Sequence, residues 1–242
     1  MILVYATLPG CLPYYYAPNS HNIPMFRQKG EVRIEAATGM GSLTSGAEFK
    51  GAYAAGNHTG LIFNTFFNNG EGFLARTFEV SNDKARGNLV EGGMGYFTNF
   101  GNEKFIFETY GGIGGGKIKN YYRDFQTLNN TEGSSLINYS RYFIQPSLGL
   151  VTNYIDFIIS ARFAGLSLNT IRTDGGVTRD LEELNRNKSM FLVEPAVTLR
   201  FGWKPVKFQL QLVLSDDLND FPLAKEFRYL NLGVIFTIPT RN

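Results

Sequence analysis

Cysteine is almost missing from this 242-residue chain: Cys11 stands alone, so no internal disulfide framework holds the fold. Histidine is scarce as well, with only His21 and His58. Charged residues make up 18% of the chain, below the roughly 25% usual for soluble domains. No run of about 20 apolar residues occurs, which excludes a transmembrane helix. Formal net charge is +2 with Lys and Arg scattered, so nucleic acid is excluded as a partner. Helical periodicity is also lacking, with no segment beyond about six residues showing it.

What is abundant is glycine (27 residues), aromatic side chains (14%) and strict alternation. In 207–215, Phe208, Leu210, Leu212 and Leu214 alternate with Lys207, Gln209, Gln211 and Ser215. The same period of two runs through 228–238, 191–201 and 154–163. Weaker strands fall near 30–38, 46–56, 58–68, 87–99, 103–118 and 138–152. The total is about ten, an even number, as a bacterial barrel with both strand termini on one side requires.

The connections carry a second signal. Ala55-Gly56-Asn57, Phe100-Gly101-Asn102, Thr152-Asn153 and Gly202-Trp203-Lys204-Pro205 have the chemistry of tight turns. Between them come longer polar stretches, 69–86, 119–137, 171–187 and 216–226. Only the first hairpin, around 39–45, lacks a long loop. Short and long connections alternate in this way in membrane barrels, with short periplasmic turns and long extracellular loops. The fold expected is therefore all-β: a closed, antiparallel, up-and-down transmembrane β-barrel in the outer membrane. Both termini fall on the short-turn side.

In that orientation the apolar set meets lipid and the polar set lines the lumen. The lumen set comprises Glu31, Arg33, Glu35, Glu48, Lys50, Glu91, Glu108, Arg141, Asp156, Arg162, Glu194 and Arg200. Mixed signs allow ion pairs where unpaired charges would be costly. Phe66, Phe67, Phe97, Phe100, Tyr121, Tyr122, Tyr142, Trp203 and Phe227 are candidates for the two aromatic girdles. Gly92, Gly93 and Gly95, followed by Gly111, Gly112, Gly114, Gly115 and Gly116, mark a bend in a tight barrel, a close approach or added lumen space.

Residues 1–10 form a signal-like apolar leader, 11–28 an extended lead-in and 29–242 the barrel. Leu8-Pro9-Gly10-Cys11 resembles the lipobox of bacterial lipoproteins, in which the Cys is acylated. It departs in a short apolar run with no preceding Lys or Arg. The lead-in holds three prolines and Tyr14-Tyr15-Tyr16, suited to a membrane interface or to the barrel mouth. The final Leu230–Ile238 resembles the C-terminal strand read by the barrel-assembly machinery, although Pro239–Asn242 follow it. Ala17-Pro18-Asn19-Ser20-His21-Asn22-Ile23-Pro24, with Lys29-Gly30-Glu31-Val32, resembles the start of uncharacterised outer-membrane barrels of the Bacteroidota. That resemblance implies an outer-membrane place and no known activity.

No reaction is encoded in a recognisable form. Barrel enzymes acting on lipids use Ser with His, yet His21 lies in the lead-in and His58 at a short turn, neither with an evident Ser partner. GGIGGG at 111–116 is not a phosphate loop, since no helix follows it. No metal-ligand spacing occurs, no cofactor is implied, and Asp216–Asp220 reads as a solvated loop. Barrels of about eight strands are filled by side chains and open porins need about 16. The expectation is a structural, accessory or binding component whose partners are outer-membrane lipid and other envelope proteins. A narrow channel or carrier is the alternative, and a barrel enzyme the third reading.

Overall fold

A computed structural model describes residues 14–70, 72, 85–101, 103–123, 132–174, 179–219 and 225–238. The strands are β1 (Val32–Gly41), β2 (Ser45–Ala54), β3 (Thr59–Asn69), β4 (Arg86–Phe100), β5 (Phe105–Arg123), β6 (Glu132–Val151), β7 (Ile155–Asp174), β8 (Ser189–Trp203), β9 (Val206–Leu214), β10 (Asp216–Asp217) and β11 (Arg228–Ile238). A helix, α1 (Arg179–Arg186), lies between β7 and β8.

Each long strand pairs antiparallel with the next, and the sheet closes where β11 returns to β1, Val32 facing Ile238. The two-residue β10 pairs with Leu192 and Val193 of β8 above the end of β9. Ten long strands therefore form a closed up-and-down barrel with no free edge. Closure matters because hydrocarbon offers no partner to a bare backbone N–H or C=O.

Alternation decides which face is which. Phe208 is 50% exposed and Leu212 41%, whereas Gln209 and Gln211 are 1% and 0%. The apolar set points out and the polar set in. On β7 the outward residues are Ile155, Phe157, Ile159, Ala161 and Phe163, a nine-residue stretch, close to the 9–11 residues that cross a bilayer. Above it the outward face turns polar at Ser167 and Asn169, level with Ser140 of β6 and Gly115 of β5, after which come Lys117 and Lys119. β5, β6 and β7 thus extend past the apolar belt at the loop end.

Several expectations are corrected. The stretches 119–137 and 171–187 are not wholly loop: β5 continues to Arg123, β6 starts at Glu132 and β7 runs to Asp174. Their polar outer residues conceal strand character because they stand clear of lipid. The eight-residue α1 exceeds the helical length expected; its Leu184 is fully buried. Phe66 and Phe97 belong to the inward parity and are 2% and 1% exposed, so they are lumen residues. Tyr142 is outward and level with Gly165, at the boundary between the apolar belt ending at Phe163 and the polar Ser167, although it lies midway along β6 because that strand extends past the belt. Phe67, Phe100, Tyr121, Trp203 and Phe227 are exposed, while the Tyr122 side chain lies outside the described residues. Asp216 and Asp217 are strand residues, bridged by Lys225, and Asp217 is buried. Asp220 and Cys11 fall outside the described residues.

Candidate functional site: the filled lumen

The lumen is occupied by the chain's own lead-in. Residues 14–26 are buried throughout. Their path is fixed at both ends. At the loop end the Tyr14 carbonyl accepts from Asn120 Nδ2 (3.1 Å), Tyr14 Oη donates to Asn68 (3.0 Å), and Tyr16 O accepts from Glu226 N (2.9 Å). At the turn end Arg27 donates to Val151 O (2.9 Å) and accepts from Asn99 Nδ2 (2.7 Å). The chain descends the barrel and then turns into β1. The first strand does start on the short-turn side, but the chain before it reaches the opposite end.

Wall and lead-in match layer by layer. At the loop end the inward wall is apolar, with Ile118, Ile137, Tyr139, Leu166, Leu168, Met190 and Leu192, and it receives Tyr14, Tyr15, Tyr16 and Ala17. At mid-depth the wall is ionic and receives Asn19, Ser20, His21 and Asn22. At the turn end Ile106, Val151 and Ile158 receive Ile23 and Met25, while Phe26 lies against Phe97 with ring centroids 5.5 Å apart. Hydrophobic burial drives the outer layers. The middle layer is satisfied by hydrogen bonds, without which buried charge would be prohibitive.

All twelve lumen residues expected from the sequence are at most 8% exposed. The structure brings them together in clusters, most of them joined by the lead-in, while Asp156 pairs with Lys207 instead. Glu91 accepts from Arg141 Nε (3.1 Å), Asn64 (2.8 Å) and Asn19 Nδ2 (3.1 Å). Arg141 also donates to Asn19 Oδ1 (2.7 Å) and Tyr16 Oη (2.9 Å). Glu194 accepts from Arg162 Nε (2.6 Å), Tyr16 Oη (2.7 Å) and Ser215 Oγ (3.1 Å). Glu48 accepts from Ser20 N (3.1 Å), Ser20 Oγ (2.6 Å) and Asn231 (3.2 Å). Lys50 pairs with Glu35 (2.9 Å) and bonds Ser20 Oγ.

Nearer the turns, Arg200 donates to Ile23 O (2.6 Å), Arg33 to Met25 O (2.7 Å), and Phe26 N to Glu108 (3.1 Å). Glu31 accepts from Arg27 N (3.2 Å) and Asp156 pairs with Lys207 (2.7 Å). The set holds seven carboxylates against five cations, all buried. Lys204 and Lys207 supply further cations to Glu31 and Asp156, and residues 14–26, which carry no charged side chain, add N–H and O–H donors that stabilise carboxylates.

His21 corrects one expectation: its Nδ1 lies 2.7 Å from Ser160 Oγ, while its N donates to Gln211 (2.5 Å). The pairing spans 139 residues of sequence and could not be read from spacing. Both side chains are buried, and His21 Nε2 has no hydrogen-bond partner among the described residues. His58 sits at the turn before β3, stacked on Tyr96 and bonded to Phe97 O (3.0 Å).

The inward glycines make room. A Cβ on Gly95 would stand 2.0 Å from Thr109 O, and one on Gly112 would meet the Phe143 ring at 2.5 Å. Tyr139 lies over Gly116 in the same way. The glycine-rich wall of β4 and β5 therefore accommodates large side chains from neighbouring strands. Beside the lead-in a cavity of about 10 Å³ remains, lined by Asn22, Ile23, Arg33, Glu35, Lys50 and Arg200. A vestibule of about 250 Å³ opens at the turn end among Arg27, Arg33, Asp156, Lys204 and Lys207, and the lead-in closes it above. A recess of about 580 Å³ near Thr38, Ala47, Phe67 and Leu232 lies on the outer wall, away from the lumen.

A closed antiparallel barrel with an apolar exterior and an ionic interior is an outer-membrane β-barrel, and that membrane is where the chain resides. No protein-family model and no curated protein matches the chain. Among solved structures it is similar to the translocator domain of autotransporter NalP from Neisseria meningitidis, with 11% identity, TM-score 0.48, and 86% and 87% of the two chains covered. It is also similar to a major outer membrane protein from Thermus thermophilus (10%, 0.45, 87% and 100%) and to LpxR from Salmonella typhimurium (12%, 0.38, 85% and 99%). No functional conclusion rests on these likenesses.

Proposed function

We propose that the protein is a self-plugged outer-membrane barrel acting as a structural, accessory or binding component of the envelope rather than as a pore or an enzyme. One observation carries this reading: residues 14–26 of the lead-in run buried through the lumen from loop end to turn end and bond to its ion-pair clusters. Polar side chains inside a membrane barrel serve conduction when water surrounds them. Here they are spent on one another and on residues 16–27. The His21–Ser160 pair serves the same packing role, with both side chains buried and no hydrogen-bond partner on the second ring nitrogen among the described residues.

The lipobox-like Leu8–Cys11 supports a signal peptide and acylation at Cys11, and the lead-in's resemblance to Bacteroidota barrels supports an origin there. Outer-membrane lipid surrounds the apolar belt, and other envelope proteins dock on the loops. The short turns face the periplasm and the long connections the exterior.

Recording in planar bilayers tests closure. The intact protein is expected to be silent, while a variant lacking residues 14–26 conducts in discrete steps. Discrete currents from the intact protein that change in Glu194→Ala would overturn closure and favour a narrow channel. Metabolic lipid labelling tests the anchor: Cys11→Ala is expected to lose its label.

A further inference from the structure

The direction of the lead-in determines where the residues before it are held. Tyr14 is bonded to Asn68 and Asn120, near the loop ends of β3 and β5. Arg27 is bonded to Val151 and Asn99, at the turn end. Between these points the chain makes one complete descent, buried against the wall from residue 14 to residue 26, and the cavity beside Asn22 and Ile23 holds only about 10 Å³.

We propose that the stretch upstream of Tyr14 is displayed on the long-loop face of the membrane, opposite to the face where β1 starts and β11 ends. This inference rests on the membrane-barrel reading above. The three residues from Cys11 to Tyr14 reach about 10 Å when fully extended. On this inference Cys11 lies on that face as well.

A return to the turn end has two routes, and both are closed. The lumen is full. Outside the wall, an extended backbone in hydrocarbon would leave its N–H and C=O groups without partners. The lead-in bonds side chains on β2, β4, β6, β7 and β9, and so is held from all round the wall.

Site-directed labelling on intact Gram-negative cells tests this. In a Cys11→Ala background, single cysteines are placed by Pro13→Cys, by Leu218→Cys beside the loop end of β8, and by Asn153→Cys at a short turn. A membrane-impermeant maleimide is applied before and after permeabilisation. Pro13→Cys is expected to label together with Leu218→Cys, and Asn153→Cys on the other side. Labelling of Pro13→Cys together with Asn153→Cys would overturn the display. Where Leu218→Cys and Asn153→Cys do not differ, the membrane-barrel reading fails instead. An epitope inserted between Leu12 and Pro13, with Cys11 retained, gives the same answer by antibody binding without the cysteine exchange. Slower migration after boiling confirms that each variant is folded.

Discussion

Arg141 shows what a single side chain does in this lumen. Its guanidinium reaches Glu91 on β4, Asn19 and Tyr16 on the lead-in, and so ties wall to plug. Removing one partner of a buried ion pair leaves the other charge uncompensated, at a cost of roughly 3–5 kcal/mol. Arg141→Met is expected to lose about that much, read as a lower unfolding temperature in detergent. Adding Glu91→Gln should restore part of it, because the carboxylate that Arg141 chiefly held is then neutral, with only the longer Arg162 contact (3.9 Å) lost. A double variant no more stable than Arg141→Met would deny the coupling. Legibility at this scale is uneven. Strand parity alone placed Glu91, Arg141, Arg162 and Glu194 inside, because a period of two assigns each residue a face. Parity could equally have placed Phe66 and Phe97 inside, yet their position near strand ends suggested a girdle. His21 and Ser160 share no local pattern, and only the fold brings them together.

Among the elements, β7 records the membrane most clearly. Its outward residues are apolar from Ile155 to Phe163 and polar from Ser167. Arg at the middle of such a belt costs about 2–4 kcal/mol, falling to about 0–1 kcal/mol near the interface. Ile159→Arg is therefore expected to destabilise the barrel strongly and Ser167→Arg hardly at all, as measured by reversible unfolding in lipid. Equal effects would remove the belt from this strand. The lead-in is the element that sequence reasoning identified only as extended chain. Its signal was present as an order of residue types: aromatic YYYA, polar NSHN, then apolar IPMF. That order has meaning only against a wall with the same three layers, and the wall is assembled from strands far apart in sequence. The glycines at 92–95 and 111–116 belong with this element, since their inward faces leave room for Tyr110, Tyr139 and Phe143.

Across the whole molecule, closure and filling act together. Ten paired strands leave no edge for lipid to meet, and the lead-in supplies hydrogen bonds to most of the buried ionic groups of the lumen. Plug and wall should therefore melt as one unit. Unboiled protein is expected to run faster than boiled protein on detergent gels, and the variant lacking residues 14–26 should lose that difference at a lower temperature. A variant with the same transition as the intact protein would show that the plug adds nothing to the barrel.

By itself the sequence determined the strands, their approximate number and which face each side chain takes, because alternation is a local property of extended chain in a two-sided environment. It also determined the tight turns: Gly101 and Gly202 have φ of +60° and +131°, values that favour glycine. Only the tertiary structure decided what occupies the lumen and on which side the chain before Tyr14 emerges. Those outcomes depend on long-range complementarity between an irregular segment and a wall built from strands distant in sequence, and no local pattern encodes the direction of a thread through a closed ring.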